Sequence, residues 1–65
     1  MLLLDKQTLL LDGNIQLLTI DNHFMQFISS GICYRFYGRD LILKEYSQHQ
    51  VIVVGKIEHI EVVYE

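Results

Sequence analysis

Short apolar blocks alternate along the chain with clusters of turn-forming residues, at intervals of about eight to ten residues. The blocks are rich in Leu, Ile, Val and aromatic residues, which is typical of β-strands. The clusters contain Gly, Asp, Asn and Ser and lie at 12–14, 21–23, 29–31, 38–40, 47–50 and 55–56. The pattern predicts an all-β fold: a small antiparallel meander, sandwich or β-roll of about six to eight short strands.

One stretch in the C-terminal half carries the clearest strand signal. Two apolar runs, Leu41–Tyr46 and Val51–Val54, flank a polar gap at 47–50. Gly38 precedes the first run and Gly55 follows the second, so we predict turns at both glycines. The runs carry apolar residues on both faces, which is typical of strands that are covered on both sides.

The leucine-rich segment at residues 2–11 has two interpretations. Its polar triplet, Asp5-Lys6-Gln7, fits a turn between two short strands, but the leucines also fall at the spacing of a short amphipathic helix. Two strands are favoured because the segment leads into Asp12-Gly13-Asn14. Asp-Gly between apolar runs is a strong hairpin signal, so we predict a hairpin turn there.

Three further strand candidates occupy the middle of the chain: Ile15–Ile20, Phe24–Ser29 and Ile32–Tyr37. The third has the clearest two-residue alternation, which places Tyr34 and Phe36 on one face. Apolar residues again occur on both faces of these candidates. A second layer must therefore cover them, either the chain folded over itself or another subunit.

The last apolar segment does not alternate regularly. Ile57 and Ile60 are three residues apart, whereas Ile60, Val62 and Tyr64 follow each other at every second position. A bulge or bend near Glu58-His59 is needed to bring Ile57 and Ile60 to the same side of a strand. We therefore predict such an irregularity.

The length and composition indicate one domain over residues 1–65 that needs dense packing or self-association. The chain has 65 residues, and 51% of them are apolar. It contains one cysteine, so it cannot form an internal disulfide. Domains of this size bury a modest share of their surface. We therefore expect a homo-oligomer or a protein partner.

Charge and hydropathy exclude several classes of partner. The net charge is −3 and the five basic residues are scattered, so we expect no nucleic-acid binding. No apolar run approaches the roughly 20 residues of a membrane-spanning helix. Asp5 and Lys6 interrupt the N-terminal leucines, so we expect neither a signal peptide nor a membrane span. An unpaired cysteine agrees with a cytoplasmic location.

The candidate chemical groups lack the spacing of a catalytic or metal site. His23, His49 and His59 have no nearby ligand pair, and we interpret them as solvated or turn histidines. Cys33 lies two residues from Arg35, which would favour a thiolate, but a buried structural cysteine is the preferred interpretation. We predict no catalytic residue, no metal site and no cofactor.

The acidic residues and glycines are interpreted structurally. We expect turn-forming aspartates, solvated glutamates and turn glycines rather than a carboxylate pair or a phosphate loop. These residues are Asp5, Asp12, Asp21, Asp40, Glu45, Glu58, Glu61, Glu65, Gly13, Gly31, Gly38 and Gly55.

The aromatic residues offer one functional alternative. They would form a stacking platform or pocket for bases or sugars in a small ligand-binding β-barrel. Packing in the core or an interface is the preferred interpretation, because aromatic residues dominate both settings. The residues are Phe24, Phe27, Tyr34, Phe36, Tyr37, Tyr46 and Tyr64.

The order of motifs from about Leu11 to Val63 resembles the YabP/YqfC family of sporulation proteins. The resemblance rests on an early strand ending at Gly13, a turn containing Asn22 and the aromatic-bearing strand after it. It also rests on the block Gly38-Arg39-Asp40-Leu41-Ile42-Leu43-Lys44 and the closing block Val51-Ile52-Val53-Val54-Gly55-Lys56-Ile57-Glu58-His59-Ile60. The resemblance implies a small β-rich, non-enzymatic protein that acts in spore formation, in coat or cortex assembly, and is spore-associated. It assigns structural roles to Gly13, Asn22, Gly38, Leu41, Gly55, Ile57 and Ile60.

Three functional hypotheses follow. The first is a structural or assembly protein that self-associates or docks on a partner through a sheet edge or an apolar face. The second is the small ligand-binding barrel with an aromatic pocket. The third is an enzyme that uses Cys33 or the histidines. The first is favoured because the strands carry apolar residues on both faces, and a chain of this length cannot easily cover both faces by itself.

Overall fold

The structure, a computed structural model, describes residues 1–64 as six β-strands in one antiparallel sheet. The strand order in the sheet is β1-β2-β6-β5-β4-β3. The strands are β1 (Leu2–Asp5), β2 (Thr8–Asp12), β3 (Ile15–Ile20), β4 (Phe24–Ser29), β5 (Ile32–Tyr46) and β6 (Gln50–Tyr64). The predicted all-β antiparallel fold is confirmed.

The long hairpin of β5 and β6 organises the sheet. The two strands pair from Ile32 opposite Tyr64 to Tyr46 opposite Val51. Near its turn the hairpin pairs with β2, and at its open end it pairs with β4. The first half-sheet therefore consists of β1, β2 and the turn end of the hairpin, residues 41–46 and 50–54. The second half-sheet consists of β3, β4 and the open end, residues 32–37 and 57–64.

The two half-sheets pack face to face around one core. Phe27 and Phe36 are its largest fully buried side chains, and their ring centroids lie 6.0 Å apart. The chain is therefore folded over itself, and it supplies its own second layer. The core consists of Leu9, Leu11, Leu41, Val51 and Val53 from the first half-sheet, and Ile15, Met25, Phe27 and Phe36 from the second.

Two glycines allow the long hairpin to bend between the half-sheets. A Cβ on Gly38 would overlap the carbonyl oxygen of Lys56. Gly55 has a φ of +131°, and a Cβ there would lie 2.5 Å from the carbonyl oxygen of Asp40. Asp40 itself has a left-handed φ of 53°. The backbones approach so closely that side chains at these two positions would push the strands apart.

Backbone hydrogen bonds connect the bend in β5 and β6 with the turns of the two neighbouring hairpins, and these contacts stabilise the bend. Each donor lies in the bend or directly beside it, and each acceptor lies in the β3–β4 turn or the β1–β2 turn. The bonds run from Gly38 N–H to His23 O (3.0 Å), from Leu41 N–H to Asn22 O (2.9 Å) and from Gly55 N–H to Gln7 O (3.0 Å).

The turns predicted at 38–40 and 55–56 are wrong. β5 and β6 continue through these positions and remain paired, because the glycines accommodate a bend with register shifts instead of a chain reversal. For this reason two of the strands have 15 residues each, whereas the other four are short.

The hairpin predicted at Asp12-Gly13-Asn14 is also wrong. β2 pairs with β1 and β6, and β3 lies at the opposite edge of the sheet. The segment crosses from one half-sheet to the other. Its Gly13 N–H donates to His49 O (3.1 Å) and the following Ile15 N–H donates to Gln48 O (2.8 Å). Both sides of β2 are occupied, so tertiary pairing overrides the local turn signal.

Other local predictions are confirmed. Residues 2–11 form two strands around a turn rather than a helix. In β6, Glu58 is the extra residue of a bulge, since His59 pairs with Tyr37 and Ile57 pairs with the next residue of β5. Ile57 and Ile60 both pack against the core, as the predicted irregularity requires.

Candidate interaction site

On the outer face of the first half-sheet, away from the core, five apolar side chains adjoin one another beside Thr8, Glu45 and Gln50. Leu3, Leu10 and Ile52 are direct neighbours across three strands, and Val54 and Ile42 are a second pair of neighbours on the same face. Leu3 is 53% exposed and Ile42 is 60% exposed. We call these five side chains the outer apolar face. Leu10, Ile52 and Val54, which lie between Leu3 and Ile42, are partly buried. Adjoining apolar side chains with exposed members are a feature of interaction sites.

The outer apolar face reaches the free edge of β1. Asp12 N–H donates to Met1 O at 3.0 Å, so by the alternation of antiparallel ladders Leu3 also bonds towards β2. The N–H and C=O groups of Leu2 and Leu4 therefore point away from the sheet. The register of β1 is regular from Leu2 to Asp5. This edge has none of the bulges, prolines or charged residues within Leu2–Leu4 that commonly block strand addition.

The other edge of the sheet, β3, is interrupted. The pairing with β4 shifts between Leu17 and Thr19, which leaves Leu18 as a bulge. At the beginning of the strand, Ile15 N–H is already bound to Gln48 O. Bulges twist an edge away from incoming strands. The two edges therefore differ, and β1 is the one that is open to pairing.

An aromatic row crosses the outer face of the second half-sheet. Phe24, Tyr37 and His59 are direct neighbours on β4, β5 and β6. The ring centroids of Phe24 and Tyr37 lie 4.9 Å apart, and those of Tyr37 and His59 lie 5.6 Å apart. The rings are mutually tilted by 41° and 43°. Such cross-strand contacts stabilise the sheet and leave ring surface open to solvent.

A polar row follows on the same face. The Tyr37 hydroxyl donates to Glu61 Oε1 at 2.8 Å, and Arg35 Nη1 lies 3.9 Å from the same oxygen. The hydrogen bond to Glu61 raises the pKa of Tyr37 above its ordinary value of 10.0, and desolvation and the Glu61 charge act in the same direction. Arg35 opposes the shift. The phenol therefore stays protonated as a donor.

A shallow groove lies on the outer side of the bend. Its volume is about 550 Å³ and it contains Arg39 and Lys56 together with Asp40. Arg39 Nε lies 3.5 Å from Glu58 Oε2, so part of its charge is compensated. No aromatic side chain lines the groove. The remaining lining residues are Gln7, Thr8, Ile42, Val54 and Gly55.

The candidate chemical groups do not converge. Cys33 is buried on the outer side of β5, and its Sγ accepts a hydrogen bond from Gln26 Nε2 at 3.2 Å. His23 and His49 belong to turns in different half-sheets, whereas the ring of His59 lies tilted against Tyr37. Within residues 1–64, no group of three or more His, Cys, Asp or Glu side chains is placed to hold a metal ion.

The acidic residues have varied local roles. Asp21 Oδ2 accepts from His23 N–H at 3.4 Å within the β3–β4 turn, which confirms a turn-forming aspartate. Glu58 and Glu61 lie on β6 with side chains that are 46% and 42% exposed, as the prediction of solvated glutamates expected, and each is also within 4 Å of an arginine. The prediction for Glu65 lies outside the described residues.

The predicted aromatic platform is divided by the fold. Phe27 and Phe36 belong to the core, and Tyr34 is partly buried against it. Phe24 and Tyr37 remain on the outer face, where His59, which the sequence assigned to no platform, joins them. Core packing therefore accounts for three of the seven aromatic residues, whereas Tyr46 and Tyr64 are exposed.

Comparison with known proteins gives no relative: no family model, curated protein or solved structure matches the chain. In the part of the chain that the structure describes, no helix is long and apolar enough to cross a membrane. The resemblance to the YabP/YqfC family stays a prediction.

The sequence pattern did not identify the residues of the β1 edge as part of an interaction site. Leu2, Leu3 and Leu4 are three consecutive leucines, and consecutive residues of a strand face opposite sides. At least one of them must therefore face away from the core. This signal was present, but the identity of the edge strand depends on pairing that only the fold defines.

Proposed function

We propose that this chain is a non-enzymatic structural and assembly protein that self-associates through its first half-sheet. The observation that carries the proposal is the outer apolar face, which continues to an uncovered strand edge at β1. The chain folds over itself, and its accessible surface of 4159 Å² is close to the roughly 4300 Å² typical of a 7.7 kDa monomer. Self-association is therefore not needed to complete the core. The proposal is supported instead by the position of the exposed apolar residues, on the outer face and beside the β1 edge.

The local contacts of the reactive side chains agree with a non-enzymatic role. Cys33 is buried and its Sγ accepts a hydrogen bond from the Gln26 amide, and the imidazole of His59 lies tilted against the ring of Tyr37. Nucleophilic catalysis needs a base within hydrogen-bonding reach of the nucleophile. The contacts of Cys33 and His59 instead support structural roles.

The resemblance in the sequence suggests a biological setting for the proposal. We propose spore formation, in coat or cortex assembly, with the protein made in the cytoplasm and associated with the spore. The motifs that support this setting are the glycines and aliphatic residues around the bend. A genomic location beside sporulation genes would support it, whereas an unrelated locus would count against it.

Sedimentation velocity over a range of concentrations tests the self-association. We expect the wild-type protein to shift from monomer to a larger species as its concentration rises. Leu3→Ser should weaken this association at least tenfold, since it removes the exposed side chain that joins the outer apolar face to β1. Leu18→Ser at the β3 edge is the matched control, because Leu18 is similarly exposed, and it should leave the association unchanged. A wild-type monomer at every concentration would refute the proposal.

A second candidate function is supported by the aromatic row. Phe24, Tyr37 and His59 expose ring surface beside Arg35 and Glu61, a combination that suits stacking and hydrogen bonding to a sugar. A thermal-shift screen of simple and polymeric sugars tests it. A stabilisation that Tyr37→Ala abolishes would favour this function, and uniformly unchanged melting temperatures would exclude it.

A further inference from the structure

We propose that β1 pairs antiparallel with β1 of a second copy of this chain, with Leu3 opposite Leu3, to form a symmetric dimer with a continuous twelve-stranded sheet. This inference rests on the proposed self-association and specifies its geometry. The partner is a second copy because the free edge of β1 is complementary to itself in hydrogen bonding, in apolar contacts and in charge.

Hydrogen bonding selects the register. The outward-pointing backbone groups of β1 belong to Leu2 and Leu4, as the ladder to β2 requires. When Leu2 of one copy lies opposite Leu4 of the other, both residues exchange N–H and C=O bonds. The two-fold axis repeats the pair, so all eight outward groups are used in four hydrogen bonds. A shift by one residue in either direction would place an outward group against one that points inward.

Apolar contacts favour the same register. Leu2 and Leu4 lie on the core side of the sheet, yet Leu4 is 51% exposed because no neighbouring strand covers it. Pairing places Leu4 beside Leu2 of the second copy and extends the core past the edge. On the opposite side, the two Leu3 side chains meet. The row formed by Leu3, Leu10 and Ile52 then continues across the dimer as six apolar side chains.

Charge disfavours sliding towards the turn. The pairing segment Leu2–Leu4 is uncharged, and in the proposed register Asp5 of each copy lies at opposite ends of the interface. Sliding the strands to bring Asp5 opposite Asp5 would place like charges directly across the ladder, which is destabilising. The proposed register is thus the one that uses all three leucines and separates the carboxylates.

The geometry also predicts a closed dimer of modest affinity. Pairing β1 with β3 of another copy would instead generate an open chain of subunits. The Leu18 bulge and the occupied Ile15 N–H disfavour β3 as a partner. Standard stable interfaces bury about 800 Å² per partner, a fifth of this chain's surface. A four-residue edge buries less, so we expect a dissociation constant in the micromolar range.

Cysteine cross-linking tests the register directly. Cys33→Ala first removes the native thiol, and Leu3→Cys or Leu4→Cys then adds one thiol on β1. Leu3 pairs with itself at a non-hydrogen-bonded position, where Cα atoms about 4.5 Å apart suit a disulfide. Leu4 is equally exposed, at 51% against 53%, but lies opposite Leu2. We expect a disulfide-linked dimer to form at least tenfold faster with Leu3→Cys than with Leu4→Cys.

Removal of one backbone donor provides an independent measurement. Leu4→Pro deletes an N–H group that points outward, so the ladder to β2 stays intact and two dimer hydrogen bonds are lost by symmetry. Leu4→Ala shortens the side chain but keeps the N–H group. In sedimentation velocity, Leu4→Pro should weaken dimerisation at least tenfold, and more than Leu4→Ala does. Circular dichroism checks that both variants remain folded. Should the proline variant be unfolded, the cross-linking experiment becomes the deciding test of the register.

The outcomes separate this inference from the proposed function. If the wild-type protein self-associates while Leu3→Cys and Leu4→Cys cross-link at equal rates, the β1 register is wrong and the assembly function stands. Open-ended polymers in place of dimers would overturn the inference in the same way. If the wild-type protein is monomeric at every concentration, the proposed function fails and β1 does not take a second copy.

Discussion

Replacing Gly38 with alanine tests whether the bend in the long hairpin determines the stability of the whole sheet. The added methyl group would overlap the carbonyl oxygen of Lys56, a backbone atom that cannot rotate away. β5 and β6 must then separate locally, which disrupts the pairs that Gly38 forms with Ile57 and that Arg39 forms with Lys56. The packing of Leu41 beside the bend is loosened as well, because the Leu41 Cδ2 atom would lie 3.1 Å from the new Cβ.

The magnitude follows from these losses. Two backbone hydrogen bonds contribute about 1 kcal/mol each, and partial exposure of Leu41 costs about 1–2 kcal/mol. Alanine also lowers the conformational entropy of the unfolded chain, which stabilises the folded state by about 0.4–1 kcal/mol. We therefore expect Gly38→Ala to lower the free energy of unfolding by about 3 kcal/mol. The total free energy of unfolding of a domain of this length is roughly 3–10 kcal/mol, so the variant loses a large share of its stability.

Gly31→Ala is the matched control. Gly31 has a φ of +82°, and no atom lies within 4 Å of an added Cβ. Alanine at this position therefore loses about 1–2 kcal/mol of stability because it must adopt a left-handed backbone conformation. It regains about 0.4–1 kcal/mol because alanine lowers the conformational entropy of the unfolded chain. Urea denaturation followed by circular dichroism measures both variants. Equal destabilisation by the two substitutions would show that steric contact at the bend is not the cause, and the reasoning would be wrong.

Three further predictions concern the core and the outer face. Leu41→Asp or Val53→Asp places a charge in the core and should abolish cooperative unfolding, as seen by circular dichroism; a soluble, cooperatively folding variant would mean that the core is misplaced. Phe27→Ala should cost about 3–5 kcal/mol in urea denaturation, and a loss below 1 kcal/mol would contradict its full burial. The raised pKa of Tyr37 means that the stabilising effect of its bond to Glu61 is present below about pH 10 and is lost as the pH rises through the folded-state pKa. Ultraviolet titration of Glu61→Gln should show a tyrosine pKa that falls towards 10.0, and an unchanged titration would refute the assignment.

The strands could be predicted from the sequence because their composition and alternation are local properties. Met25 and Phe27 share a face, as do Tyr34 and Phe36, and these pairs face the core as the two-residue period requires. The bulge at Glu58 was predictable for the same reason, since the spacing of Ile57 and Ile60 breaks the period. Each of these predictions depends on residues within a single strand.

The pairing of strands could not be predicted in this way. Gly38 and Gly55 carry the same local signal as a turn glycine, but they lie within two paired strands, where Gly38 approaches Lys56 and Gly55 approaches Asp40. There a glycine permits a close approach of two backbones. Whether a glycine reverses the chain or bends it depends on which strand lies beside it. The same limit applies to Gly13, which takes part in a crossing between half-sheets, and to β1, whose exposure follows from its place at the end of the strand order.

The location of the resemblance motifs separates what they say about fold from what they say about function. Asn22, Gly38, Leu41 and Gly55 meet at the bend through backbone hydrogen bonds and close contacts, and Ile57 and Ile60 pack against the core beside it. Any protein that bends a long hairpin in this way would need similar residues, whatever its biological role. The proposed dimer contact lies on β1 at Leu2–Leu4, which precedes the resembling segment from Leu11 to Val63. Substitutions at the bend therefore test the fold, and substitutions at Leu3 and Leu4 test the function.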